Sequence, residues 1–382
     1  MFQLTPSEKV AEIIPGRLYW VSDHQKPSGL KQSICFSVEG QITYNPFFAD
    51  FGPFNLSSMH RFAVELDKKL KDEKYKDHTI IHLTSVDSKE RTNAAFLMGA
   101  FQLIVLNRTA DEAMQRFEKI KPEFLAFRDA APSRQCSYPC TILDCLNGLE
   151  YAMRLGWYSF KKFDAHAFDF WEKEKHGQMN WIVPGKFMAL PSPVDCKGAS
   201  PVDYVPLFKK FKITAIVRLN SPNYDAAGFS NNGIRHYEVF FKDGSTPLPE
   251  KYMEFVKISE AEEGVAVHCK AGLGRTGTMI AMYVMKHFHF PAAAFIGWIR
   301  LCRPGSVLGP QQHFIVEKEQ EMFQLESDIW KNLPAETKAV SERIAKYTKT
   351  NIKMNEEELK VFKFGQIGQA EGLALKNELL KK

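Results

Sequence analysis

One series of parts occurs twice along this chain. Pro15-Gly16-Arg17-Leu18-Tyr19-Trp20 stands near the start and Pro184-Gly185-Lys186-Phe187-Met188-Ala189 far downstream, each opening a stretch readable as a short strand. The first half continues to Thr79-Ile80-Ile81-His82, a polar loop, and Arg91-Thr92-Asn93 at the head of an apolar helix. The second continues to Val265-Ala266-Val267-His268, a loop, and Arg275-Thr276-Gly277 at the head of a similar helix. The same parts in the same order imply an internal duplication; chance likeness between two common strand–loop–helix units is the competing reading. Where the second copy carries Cys269, the first carries Leu83 and a loop two residues longer. The first copy is therefore expected to be a scaffold or substrate-positioning domain without a nucleophile.

A chain of 382 residues is long for one core and predicts two domains. The boundaries read as 1–160, a linker helix over 161–178, a second domain over 179–347 and a charged tail over 348–382. The linker, Lys161–Gln178, is charged and helix-forming, with Phe163, Phe168, Phe170 and Trp171 to lay against both domains. Strands are expected at Trp181–Val183, Ile213–Leu219 and Val265–His268, and helices at Thr276–His289, Pro291–Arg300 and Pro310–Leu325. Alternation of this kind gives α/β layers with a buried parallel sheet. The Lys- and Glu-rich tail beyond Thr348 reads as mobile or as a loosely held helix.

The formal net charge of +5 is too weak and dispersed to argue for nucleic acid, and no apolar run is long enough to span a bilayer. The start, Met-Phe-Gln-Leu-Thr-Pro, lacks the pattern of a secretory leader, and seven cysteines is an odd number, so a reducing compartment is expected. Cys136, Cys140 and Cys145 fit no zinc spacing and have no histidine near them, which predicts buried or half-buried thiols.

The string Val267-His268-Cys269-Lys270-Ala271-Gly272-Leu273-Gly274-Arg275-Thr276-Gly277 carries the chemistry. A thiol attacks phosphorus as its thiolate. Set between a buried strand and a helix N-terminus, Cys269 meets a helix dipole and converging N–H groups that stabilise the anion. Gly272 and Gly274 let the loop curl, so the amides of Lys270, Ala271, Gly272, Leu273 and Gly274 can hold phosphate oxygens. Arg275, six residues after the nucleophile, offers a planar fork for two of those oxygens. Thr276 places a hydroxyl near the sulfur, and His268 holds the loop rather than acting as a base. No metal or other cofactor is needed for this chemistry.

A serine or threonine alkoxide leaves poorly without a proton. Asp243, in Phe240-Phe241-Lys242-Asp243-Gly244-Ser245-Thr246-Pro247, sits where a strand gives way to a Gly/Pro-rich loop and is the candidate acid. The plainer reading is a turn aspartate before glycine. After Pro304-Gly305-Ser306-Val307-Leu308-Gly309-Pro310, either Gln311 or Gln312 positions the hydrolytic water, or both cap the helix they open; Gln312 is taken as the water-positioning residue.

The stretches Val267–Gly277 and Arg303–Phe314 and the Asp243 loop together resemble the cell-division-cycle-fourteen phosphatases, and the likeness extends over nearly all of 1–345. It implies two tandem dual-specificity-phosphatase-like domains joined by a linker helix. It implies a protein phosphatase acting on phosphoserine or phosphothreonine before proline with a basic residue further on, and on phosphotyrosine. Such enzymes antagonise proline-directed kinases at mitotic exit, which implies a nuclear and cytoplasmic setting that includes the nucleolus, spindle or centrosome. It also implies an acidic groove containing Asp169 and Glu172, whose third acidic position falls on Gln178 here. An inositol-lipid phosphatase is the rival enzyme class, since some share His-Cys-Lys-Ala-Gly. Leu273 between the two glycines, where a lysine would suit a polyphosphorylated headgroup, weighs against it. A phosphoprotein-binding scaffold without turnover would require loss of Cys269, Asp243 or Arg275, and all are present.

Overall fold

The computed structural model describes residues 4–23, 25, 32–131, 138–196 and 198–351. One sheet is built from β1 (Val10–Ile14), β2 (Leu18–Ser22), β3 (Ser33–Phe36) and β4 (Thr79–Thr84), in spatial order β1-β2-β4-β3. The other is built from β5 (Asn180–Val183), β6 (Phe187–Leu190), β7 (Ala215–Arg218), β8 (Arg235–Glu238) and β9 (Val265–His268), in order β5-β6-β9-β7-β8. In each, an antiparallel hairpin leads into parallel pairing around a central strand, β4 or β9. The duplication thus reaches the connectivity, with β8 as the addition in the second copy.

The two hairpins are built alike. Gly16 and Gly185 turn them at φ of +67° and +74°, a region closed to most side chains, and each hairpin slips register just before its turn. The following basic residue also has the same task. Arg17 donates to the carbonyls of His78 and Leu70, the latter at 3.1 Å; Lys186 donates to those of Ser259 (2.6 Å) and Glu262 (2.5 Å). In both copies a cation gathers the unpaired carbonyls where a helix ends ahead of the central strand. Those helices are α1 (Leu56–Lys71) in the first copy and, further on, Pro249–Ala261 in the second.

Strand register corrects one correspondence. Leu18 pairs with Ile80 and Phe187 with Val265, so the residue four places along β4 from Ile80, Thr84, is the counterpart of Cys269. Leu83 is the counterpart of His268. From Thr84 to Arg91 is seven steps, against six from Cys269 to Arg275, so the first loop is longer by one residue rather than two.

The first copy also holds α2 (Ser88–Ile104), α3 (Ala110–Gln115) and α4 (Ile142–Arg154). The linker helix α5 (Ala165–Glu172) is shorter than its charge pattern suggests. Asp164 caps it by accepting from the amides of His166 and Ala167, and left-handed Gly177 (φ +94°) and Gln178 (φ +48°) end the linker. It does touch both copies: Arg61 pairs with Asp169 at 2.6 Å, and the Trp171 ring meets Phe211 at 5.6 Å. The second copy adds α6 (Pro201–Lys210), α7 (Ala227–Ser230), α8 (Pro249–Ala261), α9 (Gly274–Phe288), α10 (Ala292–Cys302), α11 (Pro310–Phe323), α12 (Asp328–Asn332) and α13 (Ala335–Asn351). Helix α13 returns to the first copy, where Arg343 pairs with Asp111 and, at 2.7 Å, with Glu150. The tail reading beyond 351 and the Cys136 reading fall outside the described residues. Cys140 and Cys145 are buried with their sulfurs 3.9 Å apart. Among the described residues no helix is long and apolar enough to cross a membrane.

One buried cluster runs through both copies, joined where α4 crosses α10. Two glycines let the backbones meet: a Cβ on Gly148 would lie 2.3 Å from the Ala294 carbonyl oxygen, and one on Gly297 would lie 2.6 Å from the Cys145 Cα. Neither obstacle is a side chain that could turn aside. Gly148→Leu is accordingly expected to lower the melting temperature by several degrees, since overpacking such a contact costs about 1–3 kcal/mol or more. An unchanged thermal melt would mean that the helices part freely.

Candidate active site

Strand β9 ends at His268, α9 begins at Gly274, and Cys269 to Leu273 bridge them. Every carbonyl of that bridge is held from outside. The Cys269 oxygen accepts from His268 Nδ1 (3.1 Å), Lys270 from the Ser192 amide (3.0 Å), Ala271 from Arg303 Nη2 (3.0 Å), Gly272 from Arg303 Nε (2.8 Å) and Leu273 from the Gly277 amide (3.0 Å). A peptide unit whose oxygen points out turns its N–H in. Among the described residues the amides of Lys270 to Arg275 have no backbone acceptor, leaving a ring of donors at the head of α9 around Cys269. The curl depends on Gly272, at φ +68°, whose Cβ would stand 2.1 Å from the Leu190 carbonyl oxygen. Gly274, expected to share that task, is instead the first residue of α9 and is not left-handed. Thr276, in the first turn of α9, is fully buried and its hydroxyl has no hydrogen-bond partner among the described residues.

Arg275 is also buried. Its Nη1 donates to the carbonyls of Leu219 (3.2 Å) and Phe241 (3.1 Å), and its Nε lies 3.2 Å from Asp243 Oδ1. Asp243 is in a turn closed by the Ser245 amide on the Lys242 carbonyl at 3.2 Å, with Gly244 at φ +74°. Asp243 is thus a turn aspartate, and the turn sets its carboxylate against the Arg275 guanidinium.

Proton counting fixes the histidine network behind the nucleophile. A carbonyl can only accept, so His268 Nδ1 carries the proton and Nε2 must accept. Tyr224 therefore donates its hydroxyl hydrogen to His268 Nε2 (2.7 Å), and His236 Nε2 donates to the tyrosine oxygen (2.9 Å). Burial pulls the His268 pKa down to about 3, which keeps the ring neutral and suited to holding the loop.

The two glutamines at the head of α11 separate. Gln312 is spent inside the protein: Oε1 accepts from Arg300 Nη2 (2.6 Å), while Nε2 donates to Asp129 Oδ2 (2.9 Å) and the Gly309 carbonyl (3.2 Å). Gln311 faces the acid loop instead. Its Nε2 donates to the Ser245 carbonyl (3.0 Å), and its buried Oε1 has no hydrogen-bond partner among the described residues. The geometry therefore favours Gln311 over Gln312 as the water-positioning residue, because adjacent helical residues point about 100° apart.

Arg303 is a residue whose part sequence reasoning did not identify. Besides the two loop carbonyls, its Nη1 donates to Asn180 Oδ1 (2.6 Å) and the Gln178 carbonyl (2.5 Å), fastening the phosphate loop to the linker. Burial lowers its pKa to about 10, against the upward pull of the Cys269 and Glu172 charges. Of the expected groove carboxylates, Asp169 is paired with Arg61 and half-exposed, whereas Glu172 accepts from Asn55 Nδ2 at 2.9 Å. Burial raises the Glu172 pKa above the ordinary range, offset by that hydrogen bond and by Arg303. Lys270 is exposed. Leu273 and Ala271 pack instead against Ala130, Ala131 and Phe47 of the first copy.

The corresponding loop of the first copy is closed to anions. Glu39 Oε1 accepts from Thr84 Oγ1 (2.7 Å) and from the Ser85 amide (2.6 Å). Arg91, the counterpart of Arg275, is turned away to the Pro122 carbonyl (2.6 Å).

Comparison with known proteins agrees with this arrangement. A family model described as dual specificity protein phosphatase, N-terminal half, matches residues 12–152, and one described as polymorphic toxin system, DSP-PTPase phosphatase, matches residues 198–289. Dual specificity protein phosphatase CDC14A of Mus musculus is 42% identical over 347 residues, covering 87% of this chain and 57% of the relative. CDC14C of Homo sapiens is 38% identical over 334 residues, covering 85% of this chain and 74% of the relative. The chain belongs to the CDC14 family of dual specificity protein phosphatases. It spans about half the length of the first of these relatives. CDC14 membership and the two sheets together account for a tandem arrangement in which one loop carries Cys269 inside a ring of open amides and the other is filled by its own glutamate.

Arg303→Lys keeps the charge but loses the fork that grips both loop carbonyls. Each charge-assisted bond is worth about 1.5–3 kcal/mol, so the affinity for inorganic phosphate, measured by calorimetry, is expected to fall at least tenfold. Unchanged phosphate affinity would remove Arg303 from the site.

Proposed function

We propose that this chain is a cysteine-dependent protein phosphatase that hydrolyses phosphoserine and phosphothreonine before proline, and phosphotyrosine, through a phosphocysteine intermediate. The observation that carries the reading is the ring of inward amides around Cys269 with Arg275 and Asp243 in contact above it. The Cys269 thiolate attacks phosphorus while the amides and Arg275 hold the equatorial oxygens. The bond to the leaving oxygen breaks, and Asp243 gives that oxygen a proton. Water then attacks phosphorus, Asp243 takes its proton, Gln311 orients it through Oε1, and the electron pair returns to sulfur beside the Thr276 hydroxyl. Buried Leu273, packed on Ala130 and Ala131, occupies the place where a lipid headgroup would call for a cation. By family likeness the reaction opposes proline-directed kinases in cell-cycle control, in the nucleus and cytoplasm.

Asp243→Ala tests this chemistry, with Cys269→Ser as the blank without turnover. General acid catalysis contributes roughly 10²–10⁴, so turnover of a phosphoserine peptide should fall by about that factor. Loss on an activated aryl phosphate, whose leaving group hardly needs the proton, should be much smaller. Equal losses on both would assign the acid elsewhere.

Asp169 and Glu172 are proposed to favour a basic residue beyond the Ser-Pro pair. Exposed pairs are worth about 0.2–1 kcal/mol each, and Arg61 already shares the Asp169 charge. Asp169→Asn with Glu172→Gln should therefore reduce kcat/KM for a lysine-bearing phosphopeptide about three- to tenfold and leave an aryl phosphate untouched. Because burial keeps Glu172 protonated to a higher pH than a surface glutamate, the wild-type preference should fade early on acidification. A double variant with full preference would reduce both carboxylates to helix-surface residues.

A further inference from the structure

We propose that Asp129, which belongs to the copy without a nucleophile, is a positioning residue for the second half of the reaction. It acts by fixing the turn that aims Gln311 at the hydrolytic water, and so rests on the reading of Gln311 given above. Asp129 is 3% exposed. Its Oδ2 accepts from the Gly309 amide (2.5 Å) and from Gln312 Nε2 (2.9 Å), the cap residue and the third residue of α11. One carboxylate thus gathers two donors from the first turn of the helix, where a negative charge is also favoured by the dipole.

That turn has little else to set it. Gly309 adopts φ +52° and supplies no side chain as a cap. Upstream, Arg300 holds the Ser306 (3.1 Å) and Val307 (3.0 Å) carbonyls and donates from Nη2 to Gln312 (2.6 Å), the same side chain that Asp129 grips from the other end. The first copy completes the seat with apolar contacts: Leu308 packs with Ala130 and Ala131, and Phe47 covers Gly305, where a Cβ would come within 2.6 Å of its ring. Gln311 lies between two residues held in this way. Its Oε1, buried and without a partner among the described residues, is the acceptor that an attacking water needs, and its Nε2 fixes the distance to the Asp243 loop through Ser245. Rotating the first turn of α11 would carry Gln311 away from Asp243 without touching Cys269, Arg275 or the phosphate-holding amides. The contribution of Asp129 is therefore confined to the step in which water adds to phosphorus, the S–P bond breaks with its electron pair going to sulfur, and Asp243 takes the proton.

The test is rapid-quench kinetics on the full chain with a labelled aryl phosphate, comparing Asp129→Ala, Asp129→Asn and Gln311→Ala. The first turnover, read as the burst of aryl alcohol, should stay within about twofold of wild type in all three. Steady-state kcat should fall about tenfold or more in Gln311→Ala and Asp129→Ala, with the labelled phosphoenzyme becoming the main species. Asp129→Asn keeps an oxygen able to accept from both donors and should restore most of the activity. If Gln311→Ala traps the phosphoenzyme and Asp129→Ala does not, this inference is overturned and the reading of Gln311 stands. If Gln311→Ala does not trap it, both fall. Equal slowing of burst and steady state in Asp129→Ala would mean a merely structural tie and also overturns the inference. Should Asp129→Ala not fold, Asp129→Ser, whose hydroxyl cannot span both donors, is read by the same criteria.

Discussion

The outward hold on the carbonyls of Cys269 to Leu273 decides what the loop can do, because the two polar ends of a peptide unit point in opposite directions. Five oxygens are engaged by His268, Ser192, Arg303 and the start of α9, and the matching hydrogens have nowhere to go but inward. The ring of open amides is here a by-product of how the back of the loop is tied. This explains why so many residues that never meet a substrate are constrained. Tyr224 must donate to His268 so that His268 can donate to Cys269, and Gly272 must lack a side chain so that Leu190 can lie against it.

The same ties make the two copies interdependent. Arg303 reaches from the phosphate loop to the linker at Gln178, α4 and α10 cross at glycine contact, and Ala130 and Ala131 wall the loop. The copy without a cysteine at this position is a structural element of the other's loop. Continuity of the apolar core through both gives that arrangement its rigidity, since interiors packed to crystal density transmit small displacements instead of absorbing them.

Much of this was legible in the residues. Val265–His268 is a buried β-branched run and forms a strand with those bounds; the three helices after it begin and end within two residues of where the sequence suggests. Short, half-exposed β8 carries no such signal in Arg235-His236-Tyr237-Glu238, and the linker helix is shorter than the charged stretch 161–178 because Asp164 caps it at one end and the backbone turns extended at Lys173 at the other. The histidines misled the alignment of the copies. His82 is stacked on Phe36 at 5.0 Å inside an apolar pocket, one step out of register with His268, so equal residue types marked unequal positions. Gln311 and Gln312 could not be separated by spacing, as only the packed helix shows which neighbour each faces. Arg303 offers no pattern at all: its importance lies in four acceptors that converge from distant parts of the chain.

Glu39 gives the duplication an unexpected arithmetic. Because its carboxylate already sits on the hydroxyl and amide of the first loop, two related folds present a single inward ring of open amides among the described residues. Duplication has here doubled the scaffold without doubling the cradle: the first copy walls the open loop of the second with Ala130 and Ala131 rather than repeating it.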